Sequence, residues 1–231
     1  MRLLLTRPLR DSQRSAARLR ALGHEVLVAP VLNIVPTRET CPEQPADAVL
    51  ATSSHAFDHA DRLPAALRSL PLHVVGERTG HAAVTAGFRA PQTVAPDAET
   101  LVRALSTTIA PGTRYLYLAG RDRSPRLETA LIAGGNAIVP WVIYEAAPAE
   151  TLDAATLDAL AAARIDAVLH FSPRSASLFV DLATKAGRLP QAMAALQVAI
   201  SPRAAEPLLA HASRVRIAAT PDLDGMIATL A

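Results

Sequence analysis

Residues 2–36, RLLLTRPLRDSQRSAARLRALGHEVLVAPVLNIVP, align without a gap to residues 114–148, RYLYLAGRDRSPRLETALIAGGNAIVPWVIYEAAP. At this offset of 112 residues Arg2 falls on Arg114, Leu19 on Leu131, Gly23 on Gly135 and Pro36 on Pro148. Shorter matches follow in the same order. DAVL at 47–50 falls on DAVL at 166–169, which puts Ser53 on Ser172. VVGERTGHAA at 74–83 falls on AISPRAAEPL at 199–208, and PDAETLVRAL at 96–105 on PDLDGMIATL at 221–230. The offset drifts from 112 to 119 to 125 through changes in loop length. A period as long as a domain marks a duplicated fold, not a solenoid.

Within each copy, short apolar runs alternate with segments long enough for one helix. The runs are Leu3–Thr6, Val26–Ala29, Ala48–Ala51, His73–Val75, Tyr115–Leu118, Ala137–Val139, Ala167–Phe171, Val198–Ile200 and Val215–Ala218. Runs this short, bounded by turn or cap residues, read as parallel strands covered on both faces. The first helical pattern runs from Asp11, a capping residue, to Leu22, and Gly23 stops it. The alternation predicts α/β architecture with parallel sheets. Val31–Pro36 and Trp141–Pro148 sit at matching places, have no helical pattern and end in proline, so they could pair as a ladder. The simplest division of the copies falls near Pro111-Gly112.

Composition bounds the rest. A chain of 231 residues can hold one large domain or two of roughly 100 residues. Half the residues are apolar and 19% charged, which supports a packed core and argues against global disorder. Lys185 is the one lysine among 23 basic residues, so 22 are arginine. A net charge of +2 with no Lys/Arg block gives no sign of nucleic-acid binding. No apolar run reaches the roughly 18 residues of a membrane span, and Leu3-Leu4-Leu5 is too short for a signal peptide. Cys41 alone makes neither an intrachain disulfide nor a cysteine zinc site. The expectation is a soluble, intracellular protein.

The ordered set LLLTRP (3–8), LGHEVLVAPVLNI (22–34), DAVLATSS (47–54), VVGERT (74–79), YLAG (117–120), VIYEAAP (142–148), DAVLHFSPRS (166–175) and AISPRAAE (199–206) resembles the uroporphyrinogen-III synthase family over nearly the whole chain. The resemblance implies two flavodoxin-like, doubly wound parallel-sheet lobes joined by a two-stranded β ladder. By similarity, residues 1–31 plus 149–231 form one discontinuous lobe, 38–141 the other, and 32–37 and 142–148 the connecting strands. It also implies a lyase that needs no cofactor and no metal. Such a lyase closes hydroxymethylbilane, a linear tetrapyrrole with eight carboxylates, into uroporphyrinogen III. The last ring inverts and water is lost. A cytoplasmic monomer is expected, with no nucleic-acid or membrane partner.

On the same resemblance, Tyr144 takes the family's tyrosine position and Thr79 its threonine beside the cleft. Candidate carboxylate contacts lie at strand-to-helix corners: Thr52, Ser53 and Ser54; Gly76 and Arg78; Ser172, Arg174 and Ser175; and Ser201, with Arg7 after the first strand. Amides at helix N-termini and arginine forks suit carboxylates. Ala204 stands where the first copy has Thr79, and Ala119-Gly120 where many members carry Arg-Gly.

Plainer readings compete. The serines also fit ordinary N-caps, and Thr79 fits a helix first turn. Arg7, Arg121 and Arg174 fit solvated surface arginines. His55 and His59, four apart in HAFDH on an expected helix, have no evident third metal ligand and read as exposed polar residues. A non-catalytic two-lobed binding protein for an anionic small molecule is the alternative function. A nucleotide or flavin binder is disfavoured by the absence of Gly-x-Gly-x-x-Gly and P-loop patterns and by only 3% aromatics.

Overall fold

Leu3, Leu4 and Leu5 are fully buried, as expected of a strand covered on both faces. The runs at Ala48–Ala51, Ala167–His170 and Leu196–Ala199 behave alike, whereas those at Ala137–Val139 and Val215–Ile217 are half-buried or exposed. The computed structural model describes residues 1–230; Ala231, the last residue of the expected first lobe, lies outside the described residues. Along the chain the strands are β1 (Arg2–Leu5), β2 (Glu25–Val28), β3 (Leu32–Pro36), β4 (Ala48–Ala51), β5 (Leu72–Val75), β6 (Thr93–Ala95), β7 (Arg114–Gly120), β8 (Ala137–Pro148), β9 (Ala167–His170), β10 (Leu196–Ala199) and β11 (Val215–Ile217). They fall into two compact units. Unit 1 comprises Met1–Asn33 and Ala147–Ala231, and unit 2 comprises Ile34–Ala146.

Unit 1 contains a five-stranded sheet in the order β11-β10-β9-β1-β2, parallel throughout. Numbered within the unit this is 5-4-3-1-2, the flavodoxin-like order. The sheet of unit 2 has the order β3-β8-β7-β4-β5-β6, with β8 to β6 parallel. When the repeats are matched, β7 and β8 correspond to β1 and β2, while β4, β5 and β6 correspond to β9, β10 and β11. The spatial order is then the same in both sheets. Apart from β3 at the edge of the six-stranded sheet, each sheet takes two strands from one copy and three from the other.

Equivalent hydrogen bonds accompany the equivalent strands. Asp47 N–H donates to the Arg114 carbonyl at 2.8 Å, and Asp166 N–H to the Arg2 carbonyl at 2.9 Å. In return, Arg114 N–H reaches Asp47 Oδ2 at 3.0 Å and Arg2 N–H reaches Asp166 Oδ2 at 2.6 Å. In unit 2 the Arg114 guanidinium also grips both Asp47 oxygens, which lowers that carboxyl to about 2. Ala149 N–H donates to the Val31 carbonyl in unit 1, and Thr37 N–H to the Ile143 carbonyl in unit 2. These pairs are again related by the repeat, and their converging numbers make β3 antiparallel to β8.

Side chains alternate faces along each strand. In β4, Val49 and Ala51 join Leu72, Val74, Leu116 and Trp141 on one face. Ala48 and Leu50 join Tyr115, Tyr117, Leu101 and Leu127 on the other. Each such leucine contributes roughly 2 kcal/mol by leaving water.

Two local expectations differ, and one strand, β6, was not expected. The first helix spans Leu9–Ala21 and starts after Pro8, so Asp11 lies in its first turn, bonded to Arg14, rather than at its cap. The HAFDH segment is not an α-helix: 3-10 turns occupy Ser54–Phe57, Ala60–Arg62 and Ala65–Ser69. The Ser53 side chain accepts from His55 N–H to start the first turn, and Pro64 has no N–H with which to continue a helix. β6 has no apolar run to announce it. Only Ala95 of its three residues is buried, and Pro91 and Pro96 flank it.

In unit 1 the fully buried His170 meets Gln197 Oε1 through Nε2 at 2.9 Å and lies 5.5 Å from the Phe179 ring. The Gln197 amide is fixed in turn by the Ala192 and Ala195 carbonyls, so Nε2 carries the proton. Burial disfavours the imidazolium and lowers His170 from 6.5 to about 4, against a smaller opposing effect of Gln197. The unfolded chain therefore takes up this proton first as the medium acidifies. The stability from a neutral His170 is complete above pH 6.5 and declines as pH falls towards 4, a loss on the order of 3 kcal/mol. Urea midpoints measured from about pH 7.5 to 4 should fall with acid in the wild type, and His170→Gln should flatten that part of the curve.

Candidate active site

In unit 2 the order of strands reverses between β7 and β4. One is followed in the chain by β8 on its outer side, the other by β5 on the opposite side. Connections leaving in opposite directions open a crevice beyond the carboxyl ends of such strands, the usual ligand position in open α/β sheets. A cavity of about 680 Å³ lies here, within the range of small-molecule sites. Thr52, Ser53, Tyr117, Gly120, Arg123 and Tyr144 are among its lining residues.

Gly120 ends β7 and fixes the placement of Tyr144. A β-carbon on Gly120 would stand 2.6–2.7 Å from the Tyr144 ring and hydroxyl, closer than non-bonded atoms approach. The phenol therefore lies on bare backbone. Tyr144 also hydrogen-bonds the Ser53 side chain. Burial pushes the phenol above its usual 10, with the Ser53 bond opposing in part and the Tyr117, Asp58 and Asp122 charges adding to the rise. It is thus a neutral hydrogen-bond donor throughout the physiological range.

A second phenol has the same arrangement. Tyr117 Oη lies 2.7 Å from Thr52 Oγ1, and burial raises its pKa as well. Two consecutive hydroxyls after β4 each hold one tyrosine hydroxyl. Arg123 and Arg126 both line the wall. Arg123, 24% exposed, is the more fixed by hydrogen bonds, with Nε donating to Glu128 Oε1 at 2.7 Å and Nη1 to the Gly120 carbonyl at 3.4 Å. Two bonds on one guanidinium make it a directed, pre-positioned charge.

The corresponding place in unit 1 carries different side chains. By repeat offset, Tyr117 corresponds to Leu5, Gly120 to Pro8, Tyr144 to Leu32 and Thr52 to Phe171. Leu5 and Leu32 are buried, and the Arg7 guanidinium covers the Phe171 ring at 4.3 Å.

The structure brings Tyr144, Thr52 and Ser53 together in the cavity wall. Ser54 is buried in the 3-10 turn that follows. Thr79, 4% exposed, is buried in the first turn of helix Glu77–Thr85 with its N–H on the Gly76 carbonyl, and it does not line the cavity. Gly76, at φ +83°, opens that helix, and Arg78 is exposed on it. The remaining expected residues belong to unit 1. Ser172 caps helix Pro173–Lys185 through Ser175 N–H and also bonds the Ser175 hydroxyl at 2.8 Å; Ser201 caps helix Pro202–Leu209 through Ala204 N–H. Arg174 is exposed at the start of its helix. Arg7 reaches Ser15 Oγ and Asp11 besides Phe171. Arg121 pairs with Glu145 and Glu39. His55 is half-buried rather than exposed, with Nδ1 2.6 Å from Asp58 Oδ2. Among the described residues no cluster of His, Cys, Asp or Glu could hold a metal.

Sequence reasoning passed over Tyr117, Gly120, Arg123 and the His55–Asp58 pair. A signal for the first two was present in the repeat alignment, where apolar Leu5 and Pro8 change to Tyr117 and Gly120. Arg123 has no such signal, being one arginine among many.

The profile of the family described as Uroporphyrinogen-III synthase HemD matches residues 13–228. A comparison with curated proteins gives no significant match. Among solved structures, the chain is similar to uroporphyrinogen-III synthetase from Helicobacter pylori, with a TM-score of 0.64 and 18% identity over 99% of this chain and 97% of that one. It is similar also to a mutant uroporphyrinogen III synthase from the extremely thermophilic bacterium Thermus thermophilus, with a TM-score of 0.50 and 18% identity over 100% of this chain and 97% of that one. At such identities the structures speak for the fold, and the profile, spanning all but the ends of the sequence, speaks for descent: the chain belongs to the uroporphyrinogen-III synthase family.

Proposed function

We propose that this cyclising lyase closes hydroxymethylbilane at the cavity of unit 2, with Tyr144 as the group that assists departure of the substrate hydroxyl. The observation that carries the reading is the Tyr144 phenol seated on Gly120, tied to Ser53, in the wall of a cavity at the switch point. Ring closure requires the terminal hydroxymethyl C–O bond to break, driven by the pyrrole nitrogen lone pair, with the oxygen leaving as water. A neutral phenol can donate a hydrogen bond to that oxygen as negative charge builds on it. Its raised pKa keeps the proton in place but makes it a weak acid, so most of the acceleration lies in holding the chain folded for attack at its substituted terminal carbon. Arg123 supplies a fixed cation for one of the substrate's carboxylates.

Thr79 and Gly76 would serve such a site by shaping the loop after β5. The unit 1 corners would bind carboxylates through the positive ends of helices Pro173–Lys185 and Pro202–Leu209, since Ser172 and Ser201 already direct their hydroxyls to capping. We further take the protein as a cytoplasmic monomer. Among the described residues no helix is long and apolar enough to cross a membrane.

Freshly prepared hydroxymethylbilane, with the type I and type III isomers separated, tests the reading. The wild type should yield type III. Correctly folded protein yielding only the spontaneous type I isomer would sink the enzyme and leave the binding protein. Tyr144→Phe should lower kcat by roughly 10- to 100-fold with KM within about twofold. Gly120→Ala should lower kcat comparably without unfolding the protein, because the added methyl displaces the phenol; wild-type turnover in that variant would contradict the placement of Tyr144.

A further inference from the structure

The segment after β4 places a second ionisable pair behind the phenol. His55 Nδ1 lies 2.6 Å from Asp58 Oδ2, with the two side chains 12% and 20% exposed. The imidazole centroid lies 5.9 Å from that of Tyr144, the rings tilted at 55°, within the range of favourable aromatic pairs. The turn is bonded within itself: His55 N–H donates to Ser53 Oγ, and Asp58 N–H to the His55 carbonyl. Ser53 is the residue that also bonds the Tyr144 hydroxyl. One short 3-10 turn with its cap therefore supplies both the partner of the hydroxyl and a ring against the phenol. Gly120 supplies the floor.

We propose that His55, oriented by Asp58, is a positioning residue for Tyr144, bracing the phenol so that its hydroxyl points at the reacting oxygen. The inference rests on the proposed role of Tyr144. A carboxylate accepting from Nδ1–H fixes the tautomer and the ring plane of an imidazole, and a short charge-assisted bond holds that plane firmly. Without the brace the phenol can swing away from Gly120 while keeping contact with the apolar side chains around it. Misplacement by about an ångström is enough to cost one to two orders of magnitude in rate. His55 is absent from the cavity lining, so its action passes through Tyr144 and not through substrate contact.

A double-mutant cycle on the full-length protein tests this, with type III formation from hydroxymethylbilane as the readout and thermal midpoints recorded alongside. His55→Ala should lower kcat about tenfold with KM nearly unchanged. Asp58→Ala should lower it in the same direction, while Asp58→Asn, which retains an acceptor for Nδ1–H, should restore most of the rate. In a Tyr144→Phe background, where no hydroxyl remains to aim, His55→Ala should change kcat by less than about twofold. Equal losses in both backgrounds would overturn the brace and leave His55 a structural residue of the turn. So would wild-type kcat in His55→Ala beside an impaired Tyr144→Phe. Wild-type kcat in Tyr144→Phe would instead overturn the role of Tyr144, and this inference with it. If His55→Ala folds poorly, Asp58→Ala and Asp58→Asn in the two backgrounds decide the same question.

Discussion

Neither sheet closes without strands from both copies of the repeat. β1, at the start of the chain, pairs with β9 in its last third, and β7 pairs back onto β4. Both junctions are made by the same exchange, an arginine and an aspartate at the strand starts trading backbone and carboxylate hydrogen bonds. Each junction is also a topological switch point, so the pairing that completes the sheet creates the crevice. Unit 1 cannot form its central pair until β9 has been made, and such long-range parallel pairing carries a loop-closure cost that slows folding.

Much of the fold was legible because the strands are covered on both faces and read as unbroken apolar runs, as in Leu3–Leu5 and Ala48–Ala51. β6 escaped because an edge strand of three residues with one buried side chain carries no pattern. The 3-10 turns after β4 escaped for a different reason. Ser53 reads as an α-helix cap, and only Pro64, further along, bars a full helix. The exchange of strands between copies leaves no mark on the repeat itself, since the offsets are identical whether two copies fold separately or trade halves. The family resemblance suggested a discontinuous lobe where the alignment could not.

The site was legible in part. Thr52 and Ser53 follow from the rule that strand ends carry function, and Tyr144 from the resemblance. Tyr117 did not stand out because an aromatic inside an apolar strand reads as core. It is core in burial, and only its hydroxyl, directed to Thr52, separates it from Tyr115, whose hydroxyl has no hydrogen-bond partner among the described residues. Gly120 carries no backbone signal either; its need for hydrogen at the α-carbon arises from Tyr144, a residue on the next strand.

Duplication supplied two switch points with equal backbone opportunity, and their side chains differ in chemistry. In unit 1 the matching positions hold Pro8, Leu5, Leu32 and Phe171, with Leu5 and Leu32 buried and Arg7 on the Phe171 ring. In unit 2, Gly120 and Thr52 stand where unit 1 has the larger Pro8 and Phe171, and Tyr117 and Tyr144 bring hydroxyls to the cavity wall. The buried Tyr117 phenol would carry a desolvation cost of roughly 1–3 kcal/mol if unpaired, and the partly buried Tyr144 phenol a smaller one. Thr52 and Ser53 meet that need, and hydroxyls this short can hold a phenol without filling the cavity. The replacement of larger residues by a glycine and a threonine, and of leucines by paired tyrosines, is therefore one coupled change. Adding the tyrosines without the hydroxyl partners would have left buried polar atoms unsatisfied, and adding them without Gly120 would have left Tyr144 no place to lie.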